Sequence, residues 1–198
     1  MEIESSPPAL ILASSSPYRR ELLQRYKQPF SCYSPVIDET PQKDEQAERM
    51  VTRLAEAKAR AVAAAGHQGL IIGSDQAAVI DGRIIGKPGN HDTAVRQLRQ
   101  ASGNKILFLT GLCLFNSIDD RVQLDCVPCR VHFRTLDDAM IGRYLQREKP
   151  YDCAGAFKSE GLGIALLDAM ETADPTALIG LPLIRLSQML ENEGIAVI

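Results

Sequence analysis

Asp75 ends the run LIIGSD, a carboxylate just beyond three apolar residues, and such a group serves either as a turn former or as a metal ligand and general base. Upstream, SSSPYRR at Ser14 to Arg20 lies between the apolar ALILA and the helical ELLQRY. That reads as strand, turn and helix start, with Ser16 as N-cap and Pro17 at the first helical position. Arg19 and Arg20 then sit beside the positive end of the helix dipole, which disfavours a cation by about 0.3–1 kcal/mol. An anion bound there would turn the penalty into a phosphate site made of a helix N-terminus and guanidinium.

Lys58 follows Leu54 by four residues and Val51 by seven, in phase with an apolar stripe. It is either a lysine at the edge of the core or one aimed into a cleft. Asp81-Gly82 is a type I′ hairpin signal, pairing Ile80 with Arg83. Counting back places Gln76 opposite Lys87 and Asp75 opposite Pro88, so an acid and a lysine meet on a tight ribbon. Glu39, beside Asp38, is either a solvated turn residue or an oxygen ligand for Mg²⁺. In GAFKSEG, Lys158 and Glu160 lie in a glycine-rich loop that lets backbone approach a ligand.

Other motifs argue the opposite way. Cys126 and Cys129 form a C-x-x-C, but no second pair suits zinc and no helix start suits a redox dithiol, so two ordinary strand cysteines are expected. His67, His91 and His132 have no metal-ligand spacing, and His132 reads as a solvent-face strand residue. There is no G-x-x-x-x-G-K-[ST] loop, so any phosphates must be held by separate Arg and Lys side chains.

The elements that must position these residues are mixed. FSCYSPVIDETP suggests a second strand ending near Asp38-Glu39, and DEQAERMVTRLAEAKARAVAAAG a long helix stopped by Gly66. KILFLTGLCLF is apolar on both faces, hence a central strand. RVQLDCVPCRVHFR is another strand, in which Pro128 leaves Cys129, Val131 and Phe133 on one face. Thr135 is the expected cap of LDDAMIGRYLQREK, IALLDAMET follows the glycine loop, and LPLIRLSQMLENEG is the last helix. Strands and helices without strict βαβ order predict an α/β fold with a mixed sheet flanked by helices.

With 198 residues, 45% of them hydrophobic and 24% charged, the chain suits one domain spanning 1–198, with residues 1–8 expected to be disordered. A net charge of −3 without a basic block argues against a nucleic-acid partner. MEIESSPPA has no basic n-region and no apolar run reaches membrane-spanning length, so the expectation is a cytoplasmic protein with no membrane partner. Five cysteines without regular spacing agree with a reducing compartment.

Taken in order, LILASSSPYRRELL, VIDETP, RLAEAKARA, IIGSDQ, GKP, LRQASG, TGL, FKSEGLG and IGLPL resemble the Maf family of nucleotide pyrophosphatases across nearly the whole chain. The resemblance implies an elongated, Ham1-like (inosine triphosphatase-like) mixed α/β fold with two lobes around a central cleft. It further implies a homodimer, a divalent metal (Mg²⁺ or Mn²⁺) and hydrolysis of a nucleoside triphosphate to monophosphate and pyrophosphate. By position, Ser14, Arg19, Lys58 and Lys87 match phosphate-binding positions, Glu39 and Asp75 a metal site, and Asp75 the proposed catalytic acid. Tyr18, Gln76 and Glu160 depart from the branch acting on dTTP and UTP, which has Arg, Thr and Gln there. They look instead like the YceF-type branch, which prefers 7-methyl-GTP. A 7-methylated guanine is cationic, so it suits stacking on Tyr18, worth roughly 0.5–2 kcal/mol, and balance by Glu160. The alternatives are a dTTP/UTP pyrophosphatase and a nucleotide-binding regulator of cell division and septum formation.

Overall fold

The computed structural model describes residues 8–198. The expected disorder over 1–8 therefore falls, apart from Pro8, outside the described residues. The short apolar runs pair first. β1 (Leu10–Leu12) lies parallel to both β2 (Phe30–Cys32) and the start of β3 (Leu70–Ile80). Longer strands then add in antiparallel fashion: β5 (Lys105–Asn116), β6 (Arg121–Phe133) and β7 (Leu167–Thr172), while β4 (Arg83–Ile85) folds back on β3. Among the described residues this is one seven-stranded sheet, mixed as expected, of order β2-β1-β3-β5-β6-β7 with β4 off that path on β3. β5, apolar on both faces, is indeed internal.

Helices cover the sheet: α1 (Pro17–Gln24), α2 (Ala47–Ala64), α3 (His91–Ala101), α4 (Asp138–Glu148) and α5 (Leu183–Asn192). Short 3₁₀ turns occupy Ala154–Ala156, Leu162–Leu166 and Pro175–Ile179. No helix among the described residues is long and apolar enough to cross a membrane.

Helix α2 matters most to the site. Its buried stripe is Met50, Val51, Leu54, Ala55, Lys58, Ala59 and Val62, so Lys58 is in phase with the core as the spacing predicts. The helix lies on two glycines of the sheet: a Cβ on Gly73 would stand 1.9 Å from Ala55 O, and one on Gly111 2.2 Å from Val51 O. Both are backbone atoms that cannot swing aside. Gly73→Ala must therefore push α2 off the sheet, at an expected cost of about 3 kcal/mol. Thermal unfolding should show a fall of roughly 6–12 °C in Tm.

Two local expectations need correction. The second strand stops at Cys32, well short of Asp38-Glu39, because Pro35 and Pro41 interrupt the ladder donors and residues 33–46 run as irregular chain. Arg53 of α2 holds that segment: its Nε and Nη2 donate to the two Glu45 oxygens at 2.6 and 2.8 Å, and Nη2 also reaches Thr40 O at 3.3 Å. The Arg53 hydrogen bonds, with the Gln42 N–H, pull the Glu45 carboxyl down to about 2. α4 is capped not by Thr135 but by Asp137, whose side chain accepts from Met140 N at 2.7 Å. An Asp competes better than Thr for the first-turn N–H groups. His132 lies on the outer face of β6 with Arg130, as expected, partly covered and with its Nε2 2.7 Å from the exposed Glu171 of the neighbouring β7.

Candidate active site

One edge of β3 runs unbroken against β5, from Leu70 to Val79. The other edge is shared: β1 takes Leu70–Ile72 and β4 takes Ala78–Ile80, leaving Gly73 to Ala77 paired on neither. The chain leaving β1 turns at this gap into the N-terminus of α1. A crevice where neighbouring strands part, with a helix start pointing into it, is where open α/β sheets bind ligands. Here it is a cleft of about 600 Å³, whose wall includes Ser14, Tyr18, Arg19, Glu39, Lys58, Asp75, Gln76, Lys87 and Glu160. All nine residues that the resemblance assigns to the site are thus brought together.

Alternation along β3 sends Asp75 and Gln76 to opposite faces. Asp75 points to the α2 side, where Lys58 Nζ donates to its Oδ1 at 2.6 Å. Lys58, 7% exposed, also lies 2.8 Å from Glu39 Oε1, so two carboxylates from different elements converge on one ammonium. That hydrogen bond, aided by the charges of Lys58, Lys87 and Arg19, holds the Glu39 carboxyl below its usual range against the effect of burial. Lys87 is exposed.

Arg19 enters from α1. Ser16 caps the helix as expected, its hydroxyl accepting from Arg19 N at 3.4 Å, and Ser14 Oγ accepts from Ser16 N at 3.1 Å. The half-buried guanidinium donates from Nε to Gly180 O at 2.8 Å. Its terminal nitrogens bond nothing among the described residues. Burial lowers its pKa, while Asp75 and Glu39 oppose that. Arg20 is exposed, so the pair at the helix start divides.

Gln76 faces the Pro175–Ile179 turn. Its Nε2 lies 2.9 Å from Ala177 O, 3.0 Å from Leu178 O and 3.0 Å from Thr110 Oγ1. Three acceptors around the nitrogen fix the amide's orientation and leave Oε1, an acceptor, to the cleft. Tyr18, half-buried, stands near Asp152, Cys153, Lys158 and Glu160, and burial raises its pKa. Lys158 Nζ lies 5.4 Å from the Tyr18 ring centroid and 2.8 Å from Glu148 Oε1. Burial also pushes the Glu160 carboxyl up.

The hairpin register holds only in part. Asp81 (φ 48°) and Gly82 (φ 75°) form the expected turn and Ile80 pairs Arg83, but the ladder ends at Ala78 opposite Ile85. Gly86-Lys87-Pro88 leaves the strand, so Lys87 reaches the cleft from a loop and not across from Gln76. Ser74, Thr110, Glu148 and the Asp174–Gly180 turn support the site without any spacing that marks them. Only IGLPL, within the resemblance, hinted at the last of these.

Among the described residues no three His, Cys, Asp or Glu side chains cluster as a metal site. Cys126 and Cys129 pack in the sheet, with burial pushing both thiols up to about 11. Both are strand cysteines of β6, as expected.

Comparison with known proteins identifies the family. The 7-methyl-GTP pyrophosphatase of Pseudomonas syringae is 57% identical over 190 residues, covering 96% of this chain and 99% of its own. The protein of the same name from Pseudomonas aeruginosa is 55% identical over 96% of this chain and 99% of its own. That of Nitrosococcus oceani is 53% identical over 98% and 97%. Among solved structures, the Staphylococcus aureus Ham1 protein shows a partial likeness, with a TM-score of 0.46, 14% identity, and 63% of this chain and 71% of that one covered. The family model for Maf-like proteins matches residues 9–193, and the chain belongs to the Maf family.

Proposed function

We propose that this protein hydrolyses 7-methyl-GTP to 7-methyl-GMP and pyrophosphate, clearing a modified nucleotide. The observation that carries the reading is the division of the cleft. Arg19, Lys58 and Lys87 group around the carboxylates of Asp75 and Glu39, whereas Tyr18 groups with Asp152, Glu160 and a Lys158 whose charge is already paired with Glu148. A substrate cationic at its base and polyanionic at its tail matches that division. The names of relatives aligned over nearly the whole chain support it.

In this reading the guanidinium of Arg19, the ammonium groups of Lys58 and Lys87, Ser14 and the first turn of α1 hold the triphosphate. Lys58 binds Oδ1 of Asp75, which leaves Oδ2 to take the proton of the attacking water. The oxygen bridging the α- and β-phosphates departs with pyrophosphate, and the cations stabilise the charge that builds there. Tyr18 stacks on the base, Glu160 balances its charge and accepts from its N–H edge, and Gln76 Oε1 supplies a further acceptor.

A divalent cation fits this donor set. Glu39 and Asp75 already converge on a cation, the Lys58 ammonium, and Mg²⁺-type ions use one or two carboxylates together with substrate phosphates. Glu39 and Asp75 would hold Mg²⁺ or Mn²⁺, which when bound neutralises phosphate charge. The working form we propose is a cytoplasmic homodimer without nucleic-acid or membrane partners, the net charge of −3 supporting the absence of nucleic acid. Product analysis tests the reaction: pyrophosphate must appear from 7-methyl-GTP in the presence of Mg²⁺, and orthophosphate must not.

A further inference from the structure

Pro182 stands at the N-cap of α5 and offers no side-chain acceptor, so the first N–H groups of that helix are served from outside it. Leu183 N donates to Thr176 Oγ1 at 2.8 Å, and Ile184 N donates to Asp174 Oδ2 at 2.7 Å. Asp174 is 2% exposed and has no ion-pair partner among the described residues. Its other oxygen accepts from Thr176 N at 3.0 Å and from the Thr176 hydroxyl. A buried carboxylate here is stabilised by hydrogen bonds and by the positive end of α5.

These two side chains thereby lock the Pro175–Ile179 turn onto α5, and carbonyls of the locked segment accept from side chains of the site. Gly180 O accepts from Arg19 Nε and lies 2.8 Å from Ser74 Oγ, the residue before Asp75. Ala177 O and Leu178 O accept from Gln76 Nε2. Gly180 has φ +121°, and a Cβ there would stand 3.3 Å from Arg19 Nε, so the close approach of that carbonyl depends on the turn's backbone. One short segment therefore holds a side chain from α1 and another from within the β3 gap.

We infer that Asp174 and Thr176 are positioning residues that set the placement of Arg19 relative to Gln76, and so the distance between phosphate grip and base contact. The inference rests on the reading of Arg19 as a phosphate ligand and Gln76 as a base contact. A shift of about 1 Å in such a contact lowers rates on the order of 10²-fold.

The test uses the full chain with Thr176→Val, which removes the hydroxyl, and Thr176→Ser, which keeps it; Asp174→Asn is the companion. NMR of the ligand-free protein follows the Arg19 Nε–H and the Gln76 amide, and calorimetry follows pyrophosphate and 7-methyl-GMP. Thr176→Val is expected to shift both signals, speed their exchange, and weaken both ligands about tenfold, with Thr176→Ser restoring all four. A folded Thr176→Val whose two signals stay unchanged, or which loses only one of the two ligands, overturns the inference. Signals that respond while the wild type binds neither ligand would uphold the positioning role and contradict the reading of the cleft.

Discussion

Asp75→Asn is expected to cost kcat on 7-methyl-GTP about 10³-fold, within the 10²–10⁴ that a general base contributes, while KM stays within roughly threefold. The substitution keeps the side chain's shape and its place at the β3 gap but removes the charge and the proton acceptor. Lys58 still has Glu39 at 2.8 Å, so its buried ammonium is not left alone and the fold should hold. The split between kcat and KM is what matters. If Asp75 served only to hold Lys58 in place for phosphate binding, the loss would appear in KM, and kcat would fall only a few-fold. Steady-state kinetics with 7-methyl-GTP at saturating Mg²⁺ separates the two.

Glu160→Gln should strike selectivity and leave the chemistry intact. A carboxylate near a cationic base, at the effective dielectric of a partly open cleft, contributes on the order of 1.4–2.8 kcal/mol to discrimination against a neutral one. The ratio of kcat/KM for 7-methyl-GTP over GTP should therefore fall about 10- to 100-fold. The pH dependence gives an independent check. Burial raises the Glu160 pKa, so as pH falls its charge is lost earlier than that of an ordinary glutamate. The preference for 7-methyl-GTP should decline along that acid limb in the wild type. In Glu160→Gln it should be low and flat across the same range. A preference that survives the substitution would place cation recognition on Tyr18 alone.

Much of this site is legible in the sequence because its residues sit where periodicity speaks. Lys58 is in phase with Val51 and Leu54, Asp75 ends an apolar strand, and Ser16-Pro17 announces a helix start; each position follows from local rules. The mixed sheet follows in the same way, from strand runs interleaved irregularly with helices. What local rules miss is contact at long range. Local rules put Glu39 at the end of a strand, but Arg53 and Glu45 hold the irregular segment that carries it against α2. The hairpin count puts Lys87 on a ladder that stops two residues before it. The turn between Asp174 and Gly180 meets Arg19 and Gln76 across separations of 161 and about 100 residues, where no spacing in the chain carries the information. The substrate branch was legible only through resemblance, since nothing in the periodicity of Tyr18, Gln76 or Glu160 distinguishes a base contact from a wall residue.

The most direct measurement is product analysis of 7-methyl-GTP, and of GTP, dTTP and UTP in parallel, incubated with the full-length protein and Mg²⁺. The expected result is 7-methyl-GMP and pyrophosphate in equal amounts, with 7-methyl-GTP consumed at the highest kcat/KM of the four. Orthophosphate as the product, or no preference for the methylated nucleotide, would contradict it.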